Sequence, residues 1–202
     1  DKYPLEAYKT NVIGTRNISS VAKILNSYFV FMSSLVVYDF ARKNDSDVLE
    51  ISESSKVNPS TWYGMTKVLA EEEIKNKGID ALVTRLGFIF GHSNKDQYSL
   101  ISALLSGNHV GFVGDFSKDY LYSEECAEYI KSLIDRRKIG LYNIGSGYSV
   151  KVSSILENLG KEYIYDDNGD YIKSFRINIE KLCNEVGFNF GYTFWNHLEK
   201  LK

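Results

Sequence analysis

Two apolar runs, "YFVFMSS" at 28–34 and "ALVTRLG" at 81–87, constrain this chain more than anything else in it. Neither shows the strict apolar–polar alternation of a strand with one wet face. Each reads instead as a strand buried on both faces, the habit of parallel sheets. Between them, "STWYGMTKVLAEEEIKN" at 60–76 sets Met65, Val68, Leu69 and Ile74 at helical intervals, with Ser60 as the expected cap. Strand, crossover helix and strand make the unit of a doubly wound α/β fold. A long helix over 5–25, carrying Val12, Ile13, Ile18, Val21 and Ile24 or Leu25, precedes the first strand, and a polar loop over 39–59 follows it.

After Gly91 the rhythm changes. Helices are expected at about 97–105, 123–136, from 150 onward, at 179–186 and at 193–200, with "HVGFV" and "GLYNIGSG" as short strands between them. This half reads as a smaller α+β lobe. No internal repeat or low-complexity linker divides the chain.

Composition excludes several classes of function. A formal net charge of −2 gives no basis for binding nucleic acid or an anionic membrane surface. The longest apolar runs have the length of strands, far short of a membrane span. Cys126 and Cys183 have no metal-like neighbours and read as buried free thiols, which fits a reducing cytoplasm. The acidic turn "DDNGD", with Asp166, Asp167 and Asp170, lacks the later Glu that a calcium loop needs, so no metal is expected. His109 and His197 have no partner nameable from sequence.

Tyr63 and Lys67 stand four apart, which puts phenol and ammonium on one helical face. With fifteen tyrosines in the chain, roughly one such spacing is expected by chance, so the pair needs a context. Ser33 and Ser34 supply it. They end the first strand, and ligands of parallel α/β sheets gather beyond the carboxyl ends of the strands. A Tyr oxygen there can exchange a proton with a sugar or alcohol hydroxyl, a Lys beside it favours the phenolate, and Ser34 can hold the same substrate oxygen. A nicotinamide would carry the hydride.

Six segments in order carry a family resemblance. They are "PLEAYKTNVIGTRN", "FVFMSSLVVYD", "NPSTWYGMTKVLAEE", "TRLGFIFG", "GDFSKDYLYSEECAEYI" and "LYNIGSGYSV". Together they resemble the extended short-chain dehydrogenase/reductase family of NAD-dependent nucleotide-sugar epimerases and dehydratases. The resemblance implies a Rossmann-like doubly wound parallel sheet over 1–91, and a substrate-binding lobe over 92–202 of which about 119–137 returns to the first part. It implies Tyr63, Lys67 and Ser34 as catalytic residues and NAD or NADP as cofactor, contacted by Asn11, Ser33, Tyr63, Lys67 and Gly87. Ser34, Phe88, Lys118 and Arg176 fall at its substrate-binding positions. It further implies a nucleotide-sugar or other carbonyl or alcohol substrate, and a homodimer through the helices beginning at Leu5 and Ser60. The family's Gly-x-x-Gly-x-x-Gly loop has no counterpart in these residues, so the expectation is a chain lacking the main cofactor-binding segment.

The departures from the pattern narrow the function. Leu35 and Val36 stand where the dehydratases carry Asp-Glu, which argues against dehydration. Phe88 replaces an Asn that contacts the sugar nucleotide, Lys118 replaces a phosphate-gripping Arg, and His92 replaces a common Pro. Lys still offers phosphate a point charge without the bidentate fork. Three readings follow: an NAD(P)-dependent epimerase, a reductase of a keto-sugar or other carbonyl, and a non-catalytic nucleotide-sensing or scaffold relative, against which the Ser–Tyr–Lys set argues.

Overall fold

The computed structural model describes residues 3–40, 48–92, 100–105, 112–113, 116–162, 164–165 and 174–202. The expected first helix runs as α1 (Pro4–Tyr8), one π-helical turn (Lys9–Ile13) and α2 (Gly14–Ile24). β1 (Phe29–Ser34) follows, then a 3₁₀ turn (Leu35–Val37) and β2 (Leu49–Ile51), a short strand inside the stretch expected as loop. Next come α3 (Trp62–Lys77), β3 (Ala81–Leu86) and β4 (Phe88–Phe90). The second half contributes α4 (Leu100–Leu105), β5 (Phe112–Val113), β6 (Ser117–Tyr122), α5 (Ser123–Asp135), β7 (Gly140–Ile144), β8 (Ser149–Lys151) and α6 (Val152–Asn158). β9 (Ile164–Tyr165), β10 (Phe175–Ile177), α7 (Glu180–Val186) and α8 (Phe194–Leu201) complete it. The "DDNGD" turn and His109 lie outside the described residues.

The α/β reading holds. β1, β3 and β7 form one parallel sheet in that order, with Ser33 level with Arg85 and Arg85 level with Asn143. β7 thus brings residues of the second half into the sheet of the first. A mixed sheet of β4, β6 and β8 continues beside it, and β2 pairs in parallel with β10. Three apolar clusters hold these layers. Leu82, Ile144, Tyr129, Leu133 and Leu182 pack one side of the main sheet, where α5 and α7 lie. Phe31, Ala70, Ile74 and Ala81 pack α3 onto the other. Phe90, Tyr120, Ile155, Phe194 and Leu198 form the core of the lobe.

Helix α3 starts one residue later than the sequence suggests. Thr61, with extended backbone, is the cap, and its hydroxyl accepts from Gly64 N at 3.0 Å. Ser60 is displaced because the bond from N3 belongs to the residue immediately before the helix. Gly78, with φ of +61°, ends the helix in the left-handed conformation that glycine adopts without cost. Gly64 serves a different purpose. A Cβ there would sit 2.5 Å from Val36 O and 2.8 Å from Pro59 Cβ. An alanine would favour the helix by about 1 kcal/mol, but an overlap of that size costs about 1–3 kcal/mol. The contact wins, and the first turn of α3 rests directly on the backbone of the 3₁₀ turn.

Candidate active site

The carboxyl end of β1, the first turn of α3, the β3–β4 junction, α4 and β6 enclose a cavity of about 420 Å³. Ser33, Ser34 and Tyr63 stand on one wall, Gly87 and Phe88 on a second, and Lys118 and Tyr120 on a third, with Val36, Ile89 and Ile101 among the apolar remainder. Six residues singled out from sequence therefore share one cavity: Ser33, Ser34, Tyr63, Gly87, Phe88 and Lys118. The parallel register explains the convergence, since β1 and β3 end together, at Ser34 and Leu86, and both open onto the same edge.

Ser34 and Tyr63 stand on one wall of the cavity, where hydrogen bonding from Ser34 favours the Tyr63 phenolate. Burial lifts the Tyr63 phenol above its ordinary range, and the Ser34 bond pulls it partway back. The lowering by Lys67 that the sequence suggests is not the dominant effect in this geometry. Lys67 Nζ lies 5.7 Å from the Tyr63 ring centroid and 4.9 Å from that of Phe31, and it donates to Met32 O at 2.9 Å. Burial lowers the Lys67 ammonium, and the Glu71 charge opposes that. One of its three N–H donors is engaged by the Met32 carbonyl, which leaves donors suited to a vicinal diol such as a ribose.

Lys118 is held differently. Its ammonium sits 4.7 Å from the centroid of Phe88 and 4.8 Å from that of Phe116, and burial lowers its pKa. Two residues on, Tyr120 points to the same side of β6. It is buried, and its hydroxyl has no hydrogen-bond partner among the described residues. Sequence reasoning passed over Tyr120, although its spacing of two from Lys118 on a strand was the available signal.

The remaining predicted residues have other partners. Ser33 lines the cavity, yet its hydroxyl donates to Glu71 Oε1 at 2.5 Å. Asn11, within the π turn, donates to Thr66 Oγ1 at 2.9 Å, and Thr66 donates to Tyr63 O at 2.8 Å, so Asn11 ties the first helix to the turn that carries Tyr63. Gly87 N donates to Ile144 O at 2.9 Å, and a Cβ at Gly87 would meet Ile177 Cδ1 at 2.8 Å. Arg176 is not among the residues lining the cavity; on β10 it faces Glu50 of β2 and pairs with it at the surface. His197, given no partner from sequence, meets Glu125 Oε1 at 2.8 Å and stacks on Tyr122 at 4.0 Å. Cys126 is buried, with its thiol pushed up to about 11, and Cys183 is partly buried; both are free. Among the described residues no group of three or more His, Cys, Asp or Glu could hold a metal ion, and no helix is long and apolar enough to cross a membrane.

Comparison with known proteins finds the same fold. The model of a family described as the RmlD substrate binding domain matches residues 1–150. Similar solved structures include a UDP-N-acetylglucosamine 4-epimerase from Methanobrevibacter ruminantium M1 in complex with UDP-N-acetylmuramic acid. It is 20% identical with a TM-score of 0.82, over 98% of this chain and 69% of that one. A dTDP-glucose 4,6-dehydratase from Bacillus anthracis in complex with NAD is 24% identical with a TM-score of 0.80, over 100% of this chain and 68% of that one. The protein RMD from Pseudomonas aeruginosa, complexed with NADPH, is 21% identical with a TM-score of 0.79, over 98% and 73%. No curated protein sequence matches significantly.

Proposed function

We propose that this chain, which belongs to the RmlD substrate-binding-domain family and so to the extended short-chain dehydrogenase/reductases, acts as an NAD(P)-dependent epimerase on a nucleotide-linked sugar. The observation that carries this reading is the placement of Ser34 and Tyr63 on one wall of a single cavity, with Lys67 one turn further along the same helix face. Tyr63 would pass a proton to and from the oxygen at the reacting carbon. Ser34 would bind that same oxygen and orient it. The Lys118 ammonium would attract the anionic linkage between sugar and nucleoside as a point charge, and the Phe88 ring would pack against the sugar.

NAD or NADP fits the residues present. Lys67 keeps donors for a ribose diol, and Ser33, Ser34, Tyr63 and Gly87 all line the cavity that a flat ring could enter. When bound, the cofactor would supply and recover the hydride. Leu35, which is buried, and Val36 on the cavity wall offer no carboxylate to expel a leaving hydroxyl, so the reading excludes 4,6-dehydration. Turnover of a nucleotide sugar with no net change in nicotinamide absorbance is the expected result. Consumption of one NAD(P)H per product would replace the epimerase by a reductase of a keto-sugar or other carbonyl, and absence of turnover with every cofactor and sugar tried would leave a non-catalytic relative.

The same reading includes a homodimer. Ile18, Val21 and Ile24 on α2 are 60, 50 and 82% exposed, and Met65 and Leu69 on the neighbouring α3 also reach solvent. The two helices are tied by the Asn11–Thr66 bond and by Arg16 to Glu73 at 2.6 Å, so they present one rigid apolar face. A second copy would bury it as a four-helix arrangement. Light scattering should give twice the mass of one chain; a single-chain mass would remove this part of the proposal.

A further inference from the structure

Tyr63, Lys67 and Glu71 follow one another at intervals of four along α3, and each reaches the end of β1. Tyr63 meets Ser34, Lys67 donates to Met32 O at 2.9 Å, and Glu71 Oε1 accepts from Ser33 Oγ at 2.5 Å. The third contact is the most enclosed. Glu71 also receives Arg85 Nε at 3.0 Å on Oε1 and Arg85 Nη2 at 2.6 Å on Oε2, a bidentate grip between side chains only 6% and 13% exposed. Arg85 lies level with Ser33 across β1 and β3, and its guanidinium lies 4.6 Å from the Tyr38 ring centroid. One carboxylate thus joins α3, β1 and β3 immediately behind the cavity, and it is not itself among the residues lining that cavity.

We propose that Glu71 is a positioning residue for the reaction at Tyr63: it locks the Ser33–Ser34 end of β1 against the reactive face of α3 and maintains a negative charge one helical turn beyond Lys67. The inference rests on the reading of Tyr63 as the acid/base. Strand end and helix meet at three points, and only the Glu71 contact is braced by a bidentate ion pair from a third element. Without it Ser33 is free to rotate, Arg85 is left as a buried cation, and the Ser34 hydroxyl is no longer fixed opposite the phenol. The groups facing Lys67 are Tyr63 and Glu71 from α3 and the Phe31 ring and Met32 carbonyl from β1. Arg85 from β3 faces Glu71. Glu71 is therefore the group that opposes loss of the Lys67 proton on burial.

The test uses Glu71→Gln, Glu71→Asp and Tyr63→Phe in the protein carrying this chain. Two readouts are steady-state kinetics and the titration of Lys67 followed by NMR of ¹³C-dimethylated lysines, assigned with Lys67→Arg. Glu71→Gln should lower kcat by about 10-fold to 100-fold with KM for the sugar nearly constant, and should move the Lys67 titration to lower pH. Glu71→Asp should recover the titration and part of kcat. Since Glu71→Gln strands the Arg85 cation, Glu71→Gln/Arg85→Gln provides a background in which no charge is orphaned. An unmoved Lys67 titration in a folded variant lacking the Glu71 carboxylate, or an unchanged kcat where Tyr63→Phe is inactive, overturns the role of Glu71 alone. A fully active Tyr63→Phe overturns the reading beneath it, and the role of Glu71 in that reaction falls with it.

Discussion

Tyr63→Phe is expected to lower kcat by about 10²-fold to 10⁴-fold while leaving the fold and the cavity intact. Phenylalanine keeps the ring that faces Lys67 at 5.7 Å and lines the cavity. It removes one atom, the oxygen bonded to Ser34. Losing that bond costs stability about 1 kcal/mol, too little to unfold a domain with two large apolar cores. The loss should fall on kcat rather than KM, since the proton moves only in the reacting complex. The raised pKa sharpens the expectation. At neutral pH the phenol is held protonated by burial, as a proton donor must be, and among the described residues lining the cavity no other group is placed to duplicate this. Tyr120 is the other phenol there, but its hydroxyl is enclosed in the lobe core and burial drives its pKa up further. Stopped-flow or steady-state rates on the two proteins, with circular dichroism to confirm equal folding, decide the matter. Comparable rates would end the acid/base assignment.

The largest loss of stability should come from Asp119→Ala. Asp119 is fully buried on β6, next to Lys118, and accepts four hydrogen bonds. Ser146 N and Oγ donate to Oδ1 at 2.7 and 2.8 Å, and Gly147 N and Ile177 N donate to Oδ2 at 3.0 and 3.1 Å. The carboxylate thereby fastens β6 to the turn after β7 and to β10. Alanine leaves three backbone N–H groups without partners, each worth about 1–3 kcal/mol, so a loss of at least about 3 kcal/mol is expected by urea denaturation. Asp119→Asn has the right shape but sets an NH₂ group against backbone donors, and should lose about half as much. Burial pushes the Asp119 carboxyl up to about 6, against the pull of its four donors. A carboxyl raised on folding binds its proton more tightly in the folded chain than in the unfolded one. Its favourable contribution is therefore complete below the unfolded value of about 4 and is lost as pH rises through about 6. In Asp119→Asn the stability curve should be flatter across that window. An unaltered denaturation midpoint in Asp119→Ala would show that the turn and β10 are held by other means.

Much of the site was legible because its signals are local or periodic. A strand ending in Ser34 and a helix with Tyr63 and Lys67 four apart depend on spacing alone, and the crossover rule brings them together. Glu71 extended that spacing and was still missed, since its importance lies in Arg85 and Ser33, residues on two other elements. The pairing of β2 with β10 was illegible for a related reason: Arg176 and Glu50 are 126 positions apart, and each segment alone reads as polar loop. Arg176 therefore read as a substrate-binding residue, and the structure pairs it with the Glu50 carboxylate. His197 of α8 and Glu125 of α5, 72 positions apart, likewise meet only in the folded chain.

Gly64 has one more consequence. The first turn of α3 rests on the carbonyl oxygen of Val36, an atom that every residue type there would supply, and on Pro59. The side chains that shape the cavity, Val36, Phe88, Ile89 and Lys118 among them, can therefore be exchanged without shifting the frame that carries Tyr63. In a lineage of such chains, the walls of the cavity are free to drift while Tyr63 stays where the backbone put it.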